Sequence, residues 1–382
     1  MATSGGQGGR MTVDRAALGR AAAGADGGLL VDWAVEQLGH SVVMPTTESL
    51  ERVRGMLDVE GTLQAFSLVA KTVRSLRFFP PFAALPQDVQ TLIEPMWRTE
   101  PEVYACGLHG ALPPELRAPR LYAIETLGEG RARLWLEDVA TASATWDVPT
   151  YTAAAFALGR LAGRYPAAEI PWTFTRLPLD LEGYLNTRIA GQTLPMLCDD
   201  RTWQHPLVRQ SVDERLREDT LRLWDRAHRL LGLLDDLPQT LAHGDACPQN
   251  LLVERMSGSI RFVAIDWGLT GTAPIGADLV QLIAGRAESG ELDPREVPPI
   301  EHAILSAYRA GLAAEGVSED RERIERGYRT QLALRCGFTA LPLERLQGAR
   351  DDDPGLTLLF ARRARWARMA LDRVPELEPA GT

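Results

Sequence analysis

The sequence predicts an α+β protein of two lobes, a small β-rich lobe followed by a larger, mainly helical one. Three observations carry that expectation. Between residues 40 and 139 hydrophobic residues alternate in runs separated by glycine turns, around one helical stretch. After Val139 apolar residues recur three or four positions apart in segment after segment. One short strand pair, between residues 251 and 265, interrupts those helices. A chain of 382 residues is long for a single domain and comfortable for two lobes.

Taken in order, residues 1 to about 27 read as a Gly- and Ala-rich tail with a short helix from Asp14. From Leu29 to Leu38 the apolar spacing is helical, so residues 1–39 are expected to form a tail and a helix. Arg52–Val59 and Gln64–Arg74 alternate as strands turned at Glu60-Gly61. Asp88–Tyr104 returns to a helical period, with Pro95 and Pro101 expected to kink or interrupt it. Leu121–Thr126 and Arg131–Leu136 form a second hairpin around Gly128-Glu129-Gly130. The small lobe therefore spans 40–139 and the helical lobe 140–382. Helices are predicted over Thr152–Tyr165, Glu214–Leu234, Gly276–Ala287, Pro299–Gly316, Glu319–Arg335 and Pro354–Arg373. On Glu214–Leu234, the residues Leu216, Thr220, Leu223, Ala227, Leu230 and Leu234 form the inward stripe. Leu251–Glu254 and Ile260–Ile265 make the hairpin, turned at Ser257-Gly258.

Fifty-one acids against 41 bases give a net charge of -10, which argues against a general nucleic-acid binder. No run approaches the ~18 consecutive apolar residues of a membrane span, and the start lacks the apolar segment of a secretory signal. Cys106, Cys198, Cys247 and Cys336 form no CxxC pair, so free thiols in a reducing, cytoplasmic setting are expected. Of the 41 bases, 40 are Arg and one is Lys, at Lys71. Either that lysine is a chance survivor of a GC-rich coding sequence, or its site wants a compact ammonium and not a planar guanidinium.

The segment His243-Gly244-Asp245-Ala246-Cys247-Pro248-Gln249-Asn250 opens the hairpin, and Ile265-Asp266-Trp267-Gly268 closes it. Asp245, Asn250 and Asp266 thus gather around one short hairpin. Two carboxylates and a carboxamide make a hard oxygen site of the kind Mg²⁺ takes, with water and phosphate oxygens completing the shell. Asp245 stands five residues before Asn250, the D-x-x-x-x-N spacing of catalytic loops in phosphoryl transfer. Asn250 is one of only two asparagines, the other being Asn186. As an alternative, Asp245 and Asp266 are plain turn and cap residues.

With these residues in place, the chain resembles the aminoglycoside phosphotransferase family, relatives of choline kinases and protein kinases. The segments His243-Gly244-Asp245 to Asn250 and Ile265-Asp266-Trp267 carry the resemblance, with Pro274-x-x-x-Asp278-Leu279 as their continuation, and it covers about residues 40 to 340. It implies a protein-kinase-like bilobal fold. It makes Asp245 the catalytic base, or at least the residue that orients the acceptor hydroxyl, and gives Asn250 and Asp266 the magnesium ions that bridge the nucleotide phosphates. His243 becomes a brace of the loop, Asp278 its support, and Cys247 a variable loop position that is no nucleophile. In the small lobe it requires a strand lysine for the α- and β-phosphates, which Lys71 in Val69-Ala70-Lys71 supplies. It also requires a helix carboxylate for that lysine: Glu100, preferred over Glu94 and Glu102. The backbone of Glu137, Asp138 and Val139 becomes the hinge that binds adenine. One departure concerns the phosphate-covering loop. The corresponding region, Pro45–Met56, holds only Gly55, leaving Thr46, Thr47 and Ser49 to offer donors and leaving ATP versus GTP open.

The expected activity is therefore Mg²⁺-dependent phosphoryl transfer from ATP, or GTP, to a hydroxyl of a small molecule, with an antibiotic as the leading acceptor. A metabolic sugar, choline or amino-alcohol kinase is the alternative, and a non-catalytic pseudokinase-like binding protein a second. Acidic pairs at Asp199-Asp200 and Asp235-Asp236 and the run Asp351–Asp353 stand either to attract a cationic acceptor or as solvated loop charge. Trp146, Trp172, Trp203, Trp224 and Trp267 fall in the large lobe as core or pocket wall. The partner is a small molecule, with no nucleic acid or membrane, and the chain is a monomer or homodimer.

Overall fold

In this computed structural model the described residues are 15–23, 28–39, 45–140, 145–175 and 181–374. In chain order the elements are helix α1 (Arg15–Ala23), strands β1 (Leu29–Gln37), β2 (Thr47–Val59) and β3 (Thr62–Arg74), and helices α2 (Gln87–Ile93) and α3 (Thr99–Ala105). There follow β4 (Leu116–Arg117), β5 (Leu121–Gly128), β6 (Arg131–Glu137), α4 (Val148–Arg164) and α5 (Leu181–Tyr184). A π-helix over Leu185–Thr193 leads to α6 (Leu194–Cys198), α7 (Asp200–Gln204), α8 (Pro206–Arg209) and α9 (Glu214–Asp235). The chain ends with β7 (Gln239–Ala242), β8 (Leu251–Met256), β9 (Ser259–Ala264), β10 (Gly271–Pro274), α10 (Asp278–Ser289), α11 (Val297–Ala314), α12 (Arg321–Thr339) and α13 (Pro354–Leu371).

The chain divides into two compact units. The first holds the described residues up to Gln90 together with Pro119–Ala140. Its antiparallel sheet has the order β1-β2-β3-β6-β5. Leu18 and Ala21, three apart on α1, pack with Leu30, Val53, Leu57, Leu68, Ala70 and Trp135 on one face of that sheet. Each large apolar side chain buried there contributes roughly 1.5–3 kcal/mol. Both hairpins expected from alternation are present, the second turning at Glu129 with a positive φ of 49°.

Two local expectations are corrected. Leu29–Gln37 is an edge strand, not a helix. A bulge between Leu30 and Asp32 sets Leu30 opposite Leu57 and Trp33 opposite Gly55, on the same face. Inward residues then stand three apart, which imitates a helical period in the sequence. The stretch Pro45–Met56 is mostly strand, not a loop, because β2 begins at Thr47. The Thr46 carbonyl accepts from the Arg74 N–H at 2.7 Å, and the Ser49 hydroxyl donates to Glu51 at 3.1 Å, so these groups serve the sheet. The β1–β2 connection runs from 38 to 46, and its residues 40–44 lie outside the described residues, as do 1–14 of the expected tail.

The second unit contains Thr91–Ala118 and the residues from Thr141 onward. Residues 91–118, placed by their sequence position in the small lobe, thus group with the helical part. Two contacts account for it: β4 pairs in parallel with β9, and α3 packs on the 3₁₀ turn at Trp267–Leu269. The proline effect is visible, since the helical stretch breaks into a 3₁₀ turn over Glu94–Arg98 around Pro95, whereas Pro101 sits harmlessly in the first turn of α3. Asp213 caps α9 by accepting from the Leu216 N–H at 2.7 Å, and α9 buries the predicted stripe from Leu216 to Leu234. Beside the expected β8–β9 hairpin lies a second ribbon, β7–β10, whose four-residue strands are too short to show a period.

Candidate active site

β7 delivers the chain to His243, and β8 takes it up again at Leu251, so residues 243–250 form a loop between two ribbons. The loop is held from several sides. The His243 and Gly244 N–H groups each donate to the Asp278 carboxylate at 2.9 Å, from the first residue of α10. The Asp245 N–H donates to His243 Nδ1 at 3.2 Å, while His243 Nε2 lies 3.0 Å from the Ile265 carbonyl. A ring nitrogen that accepts carries no proton, so these contacts fix the tautomer with its proton on Nε2. His243 is therefore occupied at both ends as a tie between the loop and the end of β9. Its ring lies against Trp267, centroids 4.6 Å apart, and the buried Thr270 hydroxyl donates to its carbonyl at 3.3 Å. Gly244 has φ +83°, and a Cβ there would fall 2.0 Å from the Leu269 carbonyl, so only glycine fits.

Asn250 closes the loop on Asp245. Its Nδ2 donates to the Asp245 carbonyl at 3.0 Å and to Asp245 Oδ2 at 2.8 Å. The Ile265 N–H donates to the Asn250 carbonyl at 2.9 Å, which ties the start of the hairpin to its end. The next residue, Asp266, has left-handed backbone angles, φ 62° and ψ 64°. Outside glycine that conformation is uncommon, and Asp is among the residues that tolerate it. Burial pushes the Asp245 carboxyl up, the charge of Asp266 adds to this, and the Asn250 hydrogen bond opposes it. Burial also pushes Asp278 up, against the two N–H groups that favour its charged form. Burial and then the Asp245 charge push the Cys247 thiol up to about 12, which makes it an inert position.

Helix α10 seals the back of the loop. Gln249 Nε2 donates to the Gly285 carbonyl at 3.3 Å. A Cβ at Gly285 would meet Cys247 Cβ at 2.6 Å and Gln249 Oε1 at 2.8 Å. Glu100 is buried in the first turn of α3, the helix that packs on Trp267–Leu269. Of the residues singled out by sequence, His243, Asp245, Asn250 and Asp278 are therefore joined by direct hydrogen bonds, and Asp266 follows in sequence the residue that ties to His243.

The remaining ones belong to the first unit. Lys71 is buried on β3, paired across to Leu50 and Leu134, on the sheet face opposite α1. The side chains of Glu137 and Asp138 both have partners: Glu137 Oε2 accepts from the Arg120 N–H at 3.0 Å at the surface. Asp138 Oδ2 accepts from Arg52 at 2.9 Å and from the Ser67 hydroxyl at 2.5 Å. Both stiffen the end of β6, which leaves the backbone of Val139 and its neighbours as the chemistry on offer.

Among the described residues no group of three or more His, Cys, Asp or Glu side chains could hold a metal. The donors here are two carboxylates and an amide oxygen. That set fits Mg²⁺, which uses one or two protein carboxylates and completes its shell with water and phosphate. Members of two of the three acidic clusters are engaged locally. Asp199 caps α7 and pairs with Arg201 at 2.8 Å, Asp200 pairs with Arg217 at 2.6 Å, and Asp353 caps α13. Sequence reasoning passed over Thr270 and Tyr308, whose hydroxyl accepts from the Gly276 N–H at 3.2 Å. A lone buried Thr or Tyr gives no pattern to find.

The model of the phosphotransferase enzyme family matches residues 86–315, more than half of the chain. Among solved structures, a microcompartment-associated aminopropanol kinase is similar at 14% identity and TM-score 0.53, over 90% of this chain and 93% of that chain. An aminoglycoside phosphotransferase from Alicyclobacillus acidocaldarius is 16% identical over 89% and 91%, with TM-score 0.48. An amicoumacin kinase in complex with AMP-PNP, Ca²⁺ and Ami is 13% identical over 89% and 88%, with TM-score 0.49. At this identity the likeness to the first is a likeness of fold. None of the curated proteins matches the chain.

Proposed function

Because the chain belongs to the phosphotransferase enzyme family and is a phosphotransferase acting on hydroxyl groups, we propose that it transfers the γ-phosphoryl group of ATP to one hydroxyl of a small molecule. The double hydrogen bond from Asn250 to Asp245 carries this reading, because it fixes a carboxylate at the loop position the D-x-x-x-x-N pattern reserves for the base. Asp245 takes the acceptor hydroxyl's proton as the oxygen attacks phosphorus. A carboxyl pushed up by burial suits that task better than an ordinary one, since a base works best near the operating pH. Asn250 and Asp266 are the residues that would hold Mg²⁺, which when bound neutralises charge on the phosphates. Lys71 serves the α- and β-phosphates, and Glu100 is assigned with it to the nucleotide end of the reaction. The backbone of Glu137–Val139 binds the adenine. His243 and Asp278 position the loop and take no proton from substrate.

An antibiotic or similar natural product is the acceptor class we infer first. A metabolic sugar, choline-like or amino-alcohol kinase is the second reading, supported by the pairing of Asp199 and Asp200 with Arg201 and Arg217, which weakens their pull on a polycation. The deciding experiment is a nucleotide-consumption screen with Mg²⁺–ATP against aminoglycosides, nucleoside antibiotics, macrolides, simple sugars and amino alcohols. Acceptor-dependent ADP release supports the proposal. No release with any acceptor, together with no binding of Mg²⁺–ATP, refutes it.

A further inference from the structure

Midway along residues 181–198 the helix changes its winding. α5 ends at Tyr184, a π-helix spans Leu185–Thr193, and α6 resumes. Such turns are rare and are frequent at functional sites, and nothing assigned so far uses this one. The segment packs against α12. There the Arg335 guanidinium carbon lies 5.6 Å from the centroid of the Tyr184 ring.

Arg335 is half-buried, and among the described residues no carboxylate lies within ion-pair distance of it. Arg363 on α13 shows the contrast. It pairs with Glu288 at 3.7 Å and donates to the carbonyls of Glu288 at 2.7 Å and Thr339 at 2.8 Å. Arg188, one turn beyond Tyr184 on the π-helix, is exposed and also has no carboxylate partner among the described residues. A half-buried guanidinium with no carboxylate in direct contact keeps N–H donors for an oxyanion that reaches it. The location is specific. α12 packs on α10, whose Asp278 and Gly285 hold the 243–250 loop. The charge of Arg335 reaches Asp245 and Asp278, and that of Arg188 reaches Glu288.

We propose that Arg335, with Arg188 on the π-helix that packs against α12, is a subsite for an acidic group of the acceptor, so that the compound phosphorylated carries a carboxylate or similar oxyanion as well as its hydroxyl. The planar guanidinium fork, steadied on Tyr184, matches a carboxylate edge in two parallel hydrogen bonds. The proposal rests on the phosphotransferase reading and narrows its substrate.

Malonate and its neutral diamide, malonamide, are the first probes, read as the shift in melting temperature on titration. Malonate is expected to stabilise the protein saturably and malonamide not. Arg335→Gln is expected to raise the half-saturating malonate concentration by about tenfold or more, the size of one charge-assisted contact, and Arg335→Lys by less. Should Arg335→Gln not fold, Arg188→Gln gives the same reading. An equal malonate response in wild type and Arg335→Gln, with only the pH–rate profile altered, would make Arg335 an electrostatic partner of Asp245 and overturn the subsite. In the transfer assay glucuronate is expected to be a better acceptor than glucose or kanamycin. Turnover of kanamycin or glucose but not glucuronate would overturn the subsite while leaving the phosphotransferase reading intact. Failure of Mg²⁺–ATP to bind would bring down that reading, and the subsite with it.

Discussion

Asn250 grips Asp245 at two points, one on its carboxylate at 2.8 Å and one on its main-chain carbonyl at 3.0 Å. Side chain and backbone of the loop are thereby fixed by one amide. The geometry leaves the other carboxylate oxygen to act. Asp245→Asn is expected to lower kcat by about 10²–10⁴-fold, the usual worth of a positioned base, while nucleotide affinity stays within a few fold. Initial rates and calorimetry on one preparation check this. Wild-type turnover would remove Asp245 from the chemistry.

Asp266 combines a candidate metal donor with a left-handed backbone, and two substitutions separate these properties. Asp266→Ala loses the carboxylate and also strains the backbone by roughly 1–2 kcal/mol. Asp266→Asn keeps a residue at home in that conformation. Both are expected to weaken Mg²⁺–nucleotide binding in calorimetry. Normal affinity in Asp266→Asn would assign the residue to the turn alone.

Lys71→Arg retains the positive charge but replaces a compact ammonium by a wide fork in a buried position. Activity is expected to fall while the melting temperature moves little. Full activity with Mg²⁺–ATP would mean that any cation serves at that place in the sheet.

The acid side of the pH profile follows from Asp245. Burial raises its carboxyl, so the base form is lost as pH falls through a value above the ordinary aspartate range of roughly 3.9. The acid limb of kcat/KM is therefore expected above that range. Because the Arg335 charge opposes the shift, Arg335→Gln should move the limb to higher pH still. A wild-type limb at or below the ordinary value would contradict the assignment.

Asp278 accepts two N–H bonds from the loop, that of His243 buried and that of Gly244 half-buried. Asp278→Ala leaves both donors without an acceptor, at roughly 1–3 kcal/mol each, and is expected to lower the melting temperature by several degrees. Asp278→Asn, which keeps one acceptor, should fall between. Thermal unfolding followed by circular dichroism measures both. No change in Asp278→Ala would show that the loop stands without its brace.

Much of this was legible in the sequence because the relevant signals are local. The Leu216–Leu234 stripe reflects one helix against one core, and the 243–250 and 265–267 segments surround one short hairpin. What stayed hidden depends on contacts between distant segments. The bulge in β1 disguised a strand as a helix, because inward residues three apart serve either geometry. The grouping of residues 91–118 with the helical unit rests on a two-residue strand pairing with β9 and on α3 meeting Trp267–Leu269. Arg335 gave no signal in a chain where arginine is the default base; what sets it apart is half-burial against the Tyr184 ring with no carboxylate in ion-pair contact among the described residues.

The close approach of Gly285 to the loop has an evolutionary consequence. A side chain at 285 would collide with the first side-chain carbon of Cys247. Position 285 therefore cannot gain a side chain while position 247 carries one in its present place. A lineage that gains bulk on the helix must first lose it on the loop, and Cys247→Gly together with a shift of the Gln249 side chain, whose Oε1 would lie 2.8 Å away, is what would make Gly285→Ala survivable. In homologues of this protein the two positions should change as a pair, a signature of the loop's seating that would outlast any change of acceptor.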